Sequence, residues 1–461
     1  MAIKMQYFKP QPENLSVGDC MPFFHDGIFH LFYLLDEDHH HKNDGLGGHI
    51  WEHASTSDLR NWIQHPSAVL YDLPDEASIC TGSVFHNAGV YYAFYSTRYF
   101  DRRGEILSCS ASSDCTLFRK TDKPLIAGFD KSGYSRKDFR DSVVFHNGED
   151  NSFHMLATSA WEKAEALPGY NGCLAHLVSD DFKKWTPLEP FFIPGYETLP
   201  ECPDIFQWNK WHYLLFSIKG VTHYRMARNW NGPWLKPPHD TLDGLMARVF
   251  KTAPFTGNRR LAVAFVPTVK GDSLAYAGRA VFRELLQYPD GTLGTCFPAE
   301  MQPEDKETAQ LSTIPPSGFN LNAESSMQIA ELKGIPDNAH ISMRIKPAAD
   351  TYCLKLGLRG ETPVDGGIIS FYPKDKIIIF QDKVLAKSLL DNIIVRVDAV
   401  EDISQDFILD IYLYEDVIDI CVNGRQCLLN CLEKRTGGNL FLMVHCGSTI
   451  FDEINVAKSD L

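Results

Sequence analysis

The sequence predicts an all-β protein: an N-terminal five-bladed β-propeller followed by a C-terminal β-sandwich. Three observations lead there. An aromatic-rich, strand-like run recurs five times in the first two thirds of the chain, a shared Asp-to-aromatic connection follows most copies, and beyond residue 318 the pattern changes to short alternating runs. At 461 residues the chain exceeds the size at which a single core keeps growing, so two domains are expected.

The recurring run reads FHLFYLL at 29 to 35, YYAFYST at 91 to 97, SFHMLATSA at 152 to 160, WHYLLFSI at 211 to 218 and RLAVAFVP at 260 to 267. Its interval is about sixty residues and shortens at the last copy. Polar segments precede the first three runs (HDG at 25 to 27, HNAG at 86 to 89, HNGEDN at 146 to 151), as a hairpin between two strands of a blade requires. Downstream, SDLRNW (57 to 62), SDCTLF (113 to 118) and DDFKKW (180 to 185) each place an Asp four residues before an aromatic, and ARNWNGPW (227 to 234) is a degraded copy. A roughly four-stranded unit cannot bury both its faces alone, so five copies stack into a propeller around a central channel.

The propeller is placed at residues 1 to 305. A polar, Pro-containing stretch at 306 to 318 reads as a linker, and the sandwich takes 319 to 461. There HISMRIKP, TYCLKLGLR, GIISFYP, DFILDIYLY and NLFLMVH follow one another between Gly, Asn and Asp turns. No chemical motif stands out in this part.

A formal net charge of −15 argues against nucleic acid or an anionic membrane as partner, since both need clustered Lys and Arg. A small neutral ligand is easier to accommodate. The first residues contain no apolar core of a leader peptide, which predicts a soluble, unexported, cytoplasmic protein. The 12 cysteines are scattered and several lie in apolar runs (Cys353, Cys421, Cys446), so reduced buried thiols are expected rather than disulfides or a zinc site.

Propeller sites form at the channel mouth, where the innermost strands converge, so a catalytic set should draw one residue from each of several blades. Asp19 in VGDC, Asp141 in FRDS and Glu201 in ECPD each lie about ten residues upstream of a repeat run, the inner-strand position. Three carboxylates facing one channel repel each other and are partly desolvated, which raises the pKa of at least one. That division suits glycoside hydrolysis, in which one carboxylate attacks the anomeric carbon and another protonates the leaving oxygen. Taken singly, each acid reads as readily as a turn, cap or surface residue.

These residues resemble glycoside hydrolase family 32, the invertases, inulinases and levanases. ECPD at 201 to 204 is similar to the family's Glu-Cys acid/base motif, FRDSVVF at 139 to 145 to its Arg-Asp motif, and GDC at 18 to 20 to a diverged nucleophile segment. IWEHASTSDLRNW at 50 to 62, TGSV at 81 to 84 (the family's Ser-Gly-Ser turn) and LDIYLYEDVIDICVNG at 409 to 424 extend the resemblance over nearly the whole chain. It implies Asp19 as nucleophile, Glu201 as acid/base, and Arg140 with Asp141 as a clamp on the fructosyl unit, in a retaining hydrolase of β-fructofuranosyl linkages. Neither metal nor organic cofactor is implied. Departures surround the first sugar: Cys20 and Met21 replace the Pro and Asn after the nucleophile, Leu34 a sugar-binding Gln, and Leu46 a Trp.

Trp51 is a candidate sugar platform, because it lies near the catalytic end of its blade, although packing between blades is the alternative. Ser83 is a candidate substrate contact or turn residue, and Cys202 is placed to tune the adjacent acid. His39, His40 and His41, with His49 and His53 nearby, read as a loop over the channel mouth rather than a metal site, since consecutive His cannot all face one ion and no carboxylate arrangement accompanies them. Rival readings are a fructosyl transferase using the same residues, an inverting propeller enzyme acting on arabinosides or xylosides, and a glycan-binding propeller that has lost turnover.

Overall fold

A computed structural model of the chain describes residues 4–121, 133–163, 169–271, 273–302, 304–308, 314–324, 326–382, 394–432 and 437–460. Five antiparallel meanders follow one another. The first blade comprises Leu15–His25, Ile28–Glu37, Ile50–Thr56 and Ile63–Gln64; the second Glu76–Asn87, Val90–Tyr99, Ile106–Ser112 and Arg119–Lys120. The third holds Tyr134–Asn147, Ser152–Trp161, Gly172–Ser179 and Thr186–Pro187, and the fourth Glu201–Trp208, Trp211–Ile218 and Val221–Ala227. The fifth holds Arg248–Phe255, Arg259–Lys270, Ser273–Gln287 and Leu293–Cys296, and meets the first blade where Val17 pairs with Gly278.

Every recurring aromatic run is the second strand of its blade. These strands are covered on both faces by neighbouring blades: Phe29, Phe32, Phe94, Tyr95, Tyr213 and Phe216 are all fully buried. The turn chemistry is equally local. Asp26 and Gly27, then Ala88 and Gly89, adopt positive φ between the first two strands of their blades, the geometry of tight hairpins. In the Asp-to-aromatic connections, Asp58 Oδ1 accepts backbone N–H bonds from Arg60 and Asn61, Asp114 Oδ1 from Thr116, and Asp181 Oδ1 from Lys183 and Lys184. The following Leu59, Cys115 and Phe182 all turn through φ near 60°. One turn is used three times, which explains why the sequence echoes itself there.

Each innermost strand carries a β-bulge at the same height. The ladder to the second strand slips between Val17 and Cys20, Ile79 and Gly82, Arg140 and Val143, Glu201 and Asp204, and Arg248 and Lys251. In every case two residues oppose one, which bends the strand and re-aims the extra side chain. Asp141, Cys202 and Val249 take positive φ within these bulges.

The sandwich is organised by one long strand, Asn439–Asp460, which passes from one sheet into the other. Its first part pairs with Gln328–Leu332 and Cys353–Gly360, its later part with Glu304–Thr308, Phe319–Ala323 and Ala339–Pro347. Glu304–Thr308 therefore gives part of the expected linker to the sandwich, and 309–313 lie outside the described residues. One continuous apolar cluster joins the fourth and fifth blades to the sandwich, through Phe206, Leu215, Phe250, Val395 and Leu428 among others. Within that joint Arg283 is fully buried and donates to both oxygens of Asp419 at 2.8 Å and to Asp243 at 2.9 Å, while Tyr7 Oη donates to Asp419 at 2.7 Å. All 12 cysteines are free thiols, as the scattered spacing predicts, but Cys446 is exposed rather than buried. No described helix is long and apolar enough to cross a membrane.

Candidate active site

The bulges gather the three sequence-predicted acids. Asp19 and Asp141 each lie in the bulge of their own blade, and Glu201 is the residue immediately before the fourth. The Asp19 carboxylate accepts a short hydrogen bond from the hydroxyl of Thr81, which occupies the equivalent bulge of the second blade. Its backbone N–H lies 3.3 Å from Tyr276 Oη. Gly18 is required at this approach, because a Cβ there would stand 2.6 Å from the same hydroxyl.

Arg140 ties the other two acids together. Its guanidinium lies 2.8 Å from Glu201, 3.6 Å from Asp141, 3.1 Å from Asp138 and 3.4 Å from Glu105. Thr158 Oγ1 donates to Asp141 at 3.3 Å. Burial raises the Asp141 carboxyl to about 7, against the pull of Arg140, with the charges of Glu201, Glu105 and Asp19 adding to the rise. Asp19 is raised as well, by burial first and then by Glu201, while the Thr81 hydrogen bond, His49 and Lys251 hold it down. The acids thus feel one another's charge, as expected for a shared channel mouth. Glu201 is the accessible member, its side chain 38% exposed on a cavity of about 410 Å³ lined also by Leu46, Arg98, Tyr99, Lys137 and Arg140.

Three other expected contacts are placed differently. Trp51 is fully buried, with its indole N–H donating to Cys80 O at 2.9 Å, so it packs between the first two blades and offers no face to a sugar. Ser83 lies within a strand rather than a turn, and its hydroxyl accepts the Val144 N–H at 3.3 Å, joining the second blade to the third. Cys202 is buried and its thiol points at Asp19 Oδ2, 3.8 Å away, so its contact is with the first acid and not with its neighbour Glu201. Leu34 opposes the Asp19 bulge and is buried in the core.

The structure also supplies residues that the sequence reading passed over. Thr81 and Arg248 sit at the bulge positions equivalent to Asp19 and Glu201, so the repeat alignment contains the signal, but a search for acids skips both. Loss of hydration lowers the Arg248 pKa, and the nearby charges of Asp19 and Glu201 offset it only in part. Its buried Nε has no hydrogen-bond partner.

Known proteins resemble the chain in both sequence and fold. Residues 13–234 match the model of the glycosyl hydrolases family 32 N-terminal domain. The chain is 24% identical over 208 residues to an insoluble-isoenzyme β-fructofuranosidase of Arabidopsis thaliana, covering 43% of this chain and 34% of that one. It is 26% identical over 238 residues to the levanbiose-producing levanase of Bacillus subtilis, covering 50% and 42%. These matches span only about a third to two fifths of the relatives' own length. Among solved structures, sucrose-6-phosphate hydrolase from Lactobacillus gasseri superposes with a TM-score of 0.71 at 15% identity, over 99% of this chain and 93% of that one. Fructan 1-exohydrolase IIa from Cichorium intybus gives 0.70 at 16%, over 99% and 97%. Both share the fold of a β-propeller with a β-sandwich behind it. Residues 13–234 thus match the N-terminal domain of glycosyl hydrolases family 32, in a chain with the fold of a β-propeller and a β-sandwich.

Proposed function

We propose that this protein is a retaining glycoside hydrolase that cleaves β-fructofuranosyl linkages in small saccharides. The observation that carries the reading is the convergence of Asp19, Asp141 and Glu201 on one channel mouth, two from the bulges of their blades and Glu201 from just before the fourth, with Arg140 bridging the last two. Asp19, held by Thr81 and buried, acts as the nucleophile. Its attack on the anomeric carbon forms a glycosyl-enzyme ester and expels the leaving sugar oxygen. Glu201, the accessible acid, gives that oxygen its proton and then takes one from the water that cleaves the ester. Asp141 stays buried beside the ring hydroxyls, where hydrogen bonds strengthen as positive charge develops in the transition state. The proposed substrates follow the curated relatives, named as a β-fructofuranosidase and a levanase.

The test is release of free sugar from sucrose, short inulin and levan oligosaccharides and an aryl arabinofuranoside by wild type, Asp19→Ala and Glu201→Ala. Fructose release that vanishes in both variants supports the reading. Arabinose release instead, or no release while binding persists, overturns it.

A further inference from the structure

We propose that Asp36, His40 and His49 form a binding site for a divalent transition metal of the zinc class, built into the loop beside the Asp19 carboxylate. Asp36 stands just before the histidine run in sequence, and the fold brings His49 back to it. Asp36 closes the strand Ile28–Glu37, His40 lies in the loop after it, and His49 precedes the strand Ile50–Thr56. One ligand atom from each of the three lies within 4.8 Å of the others, the only such group among the described residues.

Hydrogen bonding singles out the same residues. Asp36 and His49 are buried, 0% and 2% exposed, yet Asp36 Oδ2 and His49 Nδ1 have no hydrogen-bond partner, and neither does His40 Nδ1. The unsatisfied Asp36 oxygen and His40 nitrogen carry a desolvation cost that an ion bound to both residues would remove. The rest of the cluster is arranged for ligation. His49 Nε2 lies 2.9 Å from Asp36 Oδ1, a separation at which one ion can take both atoms in place of the hydrogen bond between them. The His40 N–H donates to the same Oδ1 at 2.8 Å, fixing the carboxylate.

Arg98 faces the cluster, with Nη1 2.9 Å from His40 Nε2. Here Arg98 donates to His40 Nε2, so ligation through Nδ1 moves the His40 proton to Nε2 and requires Arg98 to release that contact while it keeps its bond to Glu105. Two imidazoles with one carboxylate suit zinc or cobalt rather than calcium or magnesium, which take oxygen shells. Asp38, His39 and His40 hold positive φ in this loop, backbone that persists only when its surroundings fix it. The Tyr276 ring packs against both His40 and His49, so the metal would brace the residue whose hydroxyl meets Asp19.

The test uses tag-free, full-length protein incubated with Zn(II) or Co(II), dialysed, and assayed for bound metal by elemental analysis, with the visible spectrum of the cobalt form. Wild type is expected to keep about one equivalent per chain, to melt higher with metal, and to give a four-coordinate cobalt spectrum. Asp36→Asn, His49→Gln and His40→Gln should each weaken binding by more than about tenfold, the lower bound seen even for outer partners of a metal ligand. His41→Gln, on the exposed neighbour, should bind as wild type. Folding of each variant is checked by its melt in the absence of metal. No retained metal in wild type, or equal loss in His41→Gln, overturns the proposal.

Discussion

Thr81 offers the sharpest test of how the nucleophile is set. Its hydroxyl donates to Asp19 Oδ2 and stabilises the charged carboxylate against burial and the neighbouring Glu201. Thr81→Val keeps the shape of the side chain and removes only the donor. A hydrogen bond to an ionised group contributes about 1.5–3 kcal/mol. At about 1.4 kcal/mol per pKa unit, its loss raises the Asp19 pKa by roughly 1 to 2 units. The nucleophile works as the carboxylate, so the acid limb of the kcat/KM profile should move to higher pH by that amount. Below the limb, kcat/KM should fall by about 10- to 100-fold, and on the alkaline side of it change little. Thr81→Ser, which restores a hydroxyl, should return the limb most of the way. The assay is kcat/KM against pH on the best fructoside, with melts of each variant. A uniform drop at all pH values with an unmoved limb would show that Thr81 only packs, and would refute the reasoning.

Asp141 is held near 7 by burial, so folding favours its protonated form, and the stability it contributes below its unfolded value is lost as pH rises through about 7. Asp141→Asn is therefore expected to abolish hydrolysis yet to raise Tm relative to wild type more at pH 8 than at pH 5. Arg283→Met would leave Asp243 and Asp419 buried without their shared cation and is expected to cost about 3–5 kcal/mol in denaturant unfolding. Adding Asp419→Asn should recover part of that loss. Trp51→Ala should cost about 3–5 kcal/mol of stability while leaving KM nearly unchanged in the folded fraction; a large rise in KM with unchanged stability would restore the sugar-platform reading.

The fold was legible because its signals are local and repeated. A blade that must bury both faces needs the same aromatic strand each time, so five blades write that run five times, and three of their connections reuse one Asp to hold the same backbone amides. The acids were legible for the same reason: Asp19, Asp141 and Glu201 share an offset from that pattern. What the offset cannot express is direction. Trp51 shares its strand with Glu52 and His53, and only the packed second blade shows that its indole is enclosed and bonded to Cys80. Ser83 reads as a turn residue by composition, whereas a neighbouring strand makes it part of a sheet.

The sequence by itself determined the class of fold, the number of blades and which carboxylates could meet, because periodicity and turn chemistry depend on residues close in the chain. The tertiary structure decided what each group faces. Bulges re-aim Asp19 and Asp141, Arg140 spans two blades to reach Glu201, Thr81 and Arg248 enter from blades that offer no acid, and Asp36 joins His40 and His49 across a loop. Most of these contacts depend on distances between segments far apart in sequence, and burial, which shifts the charge of a group, exists only once those segments have packed.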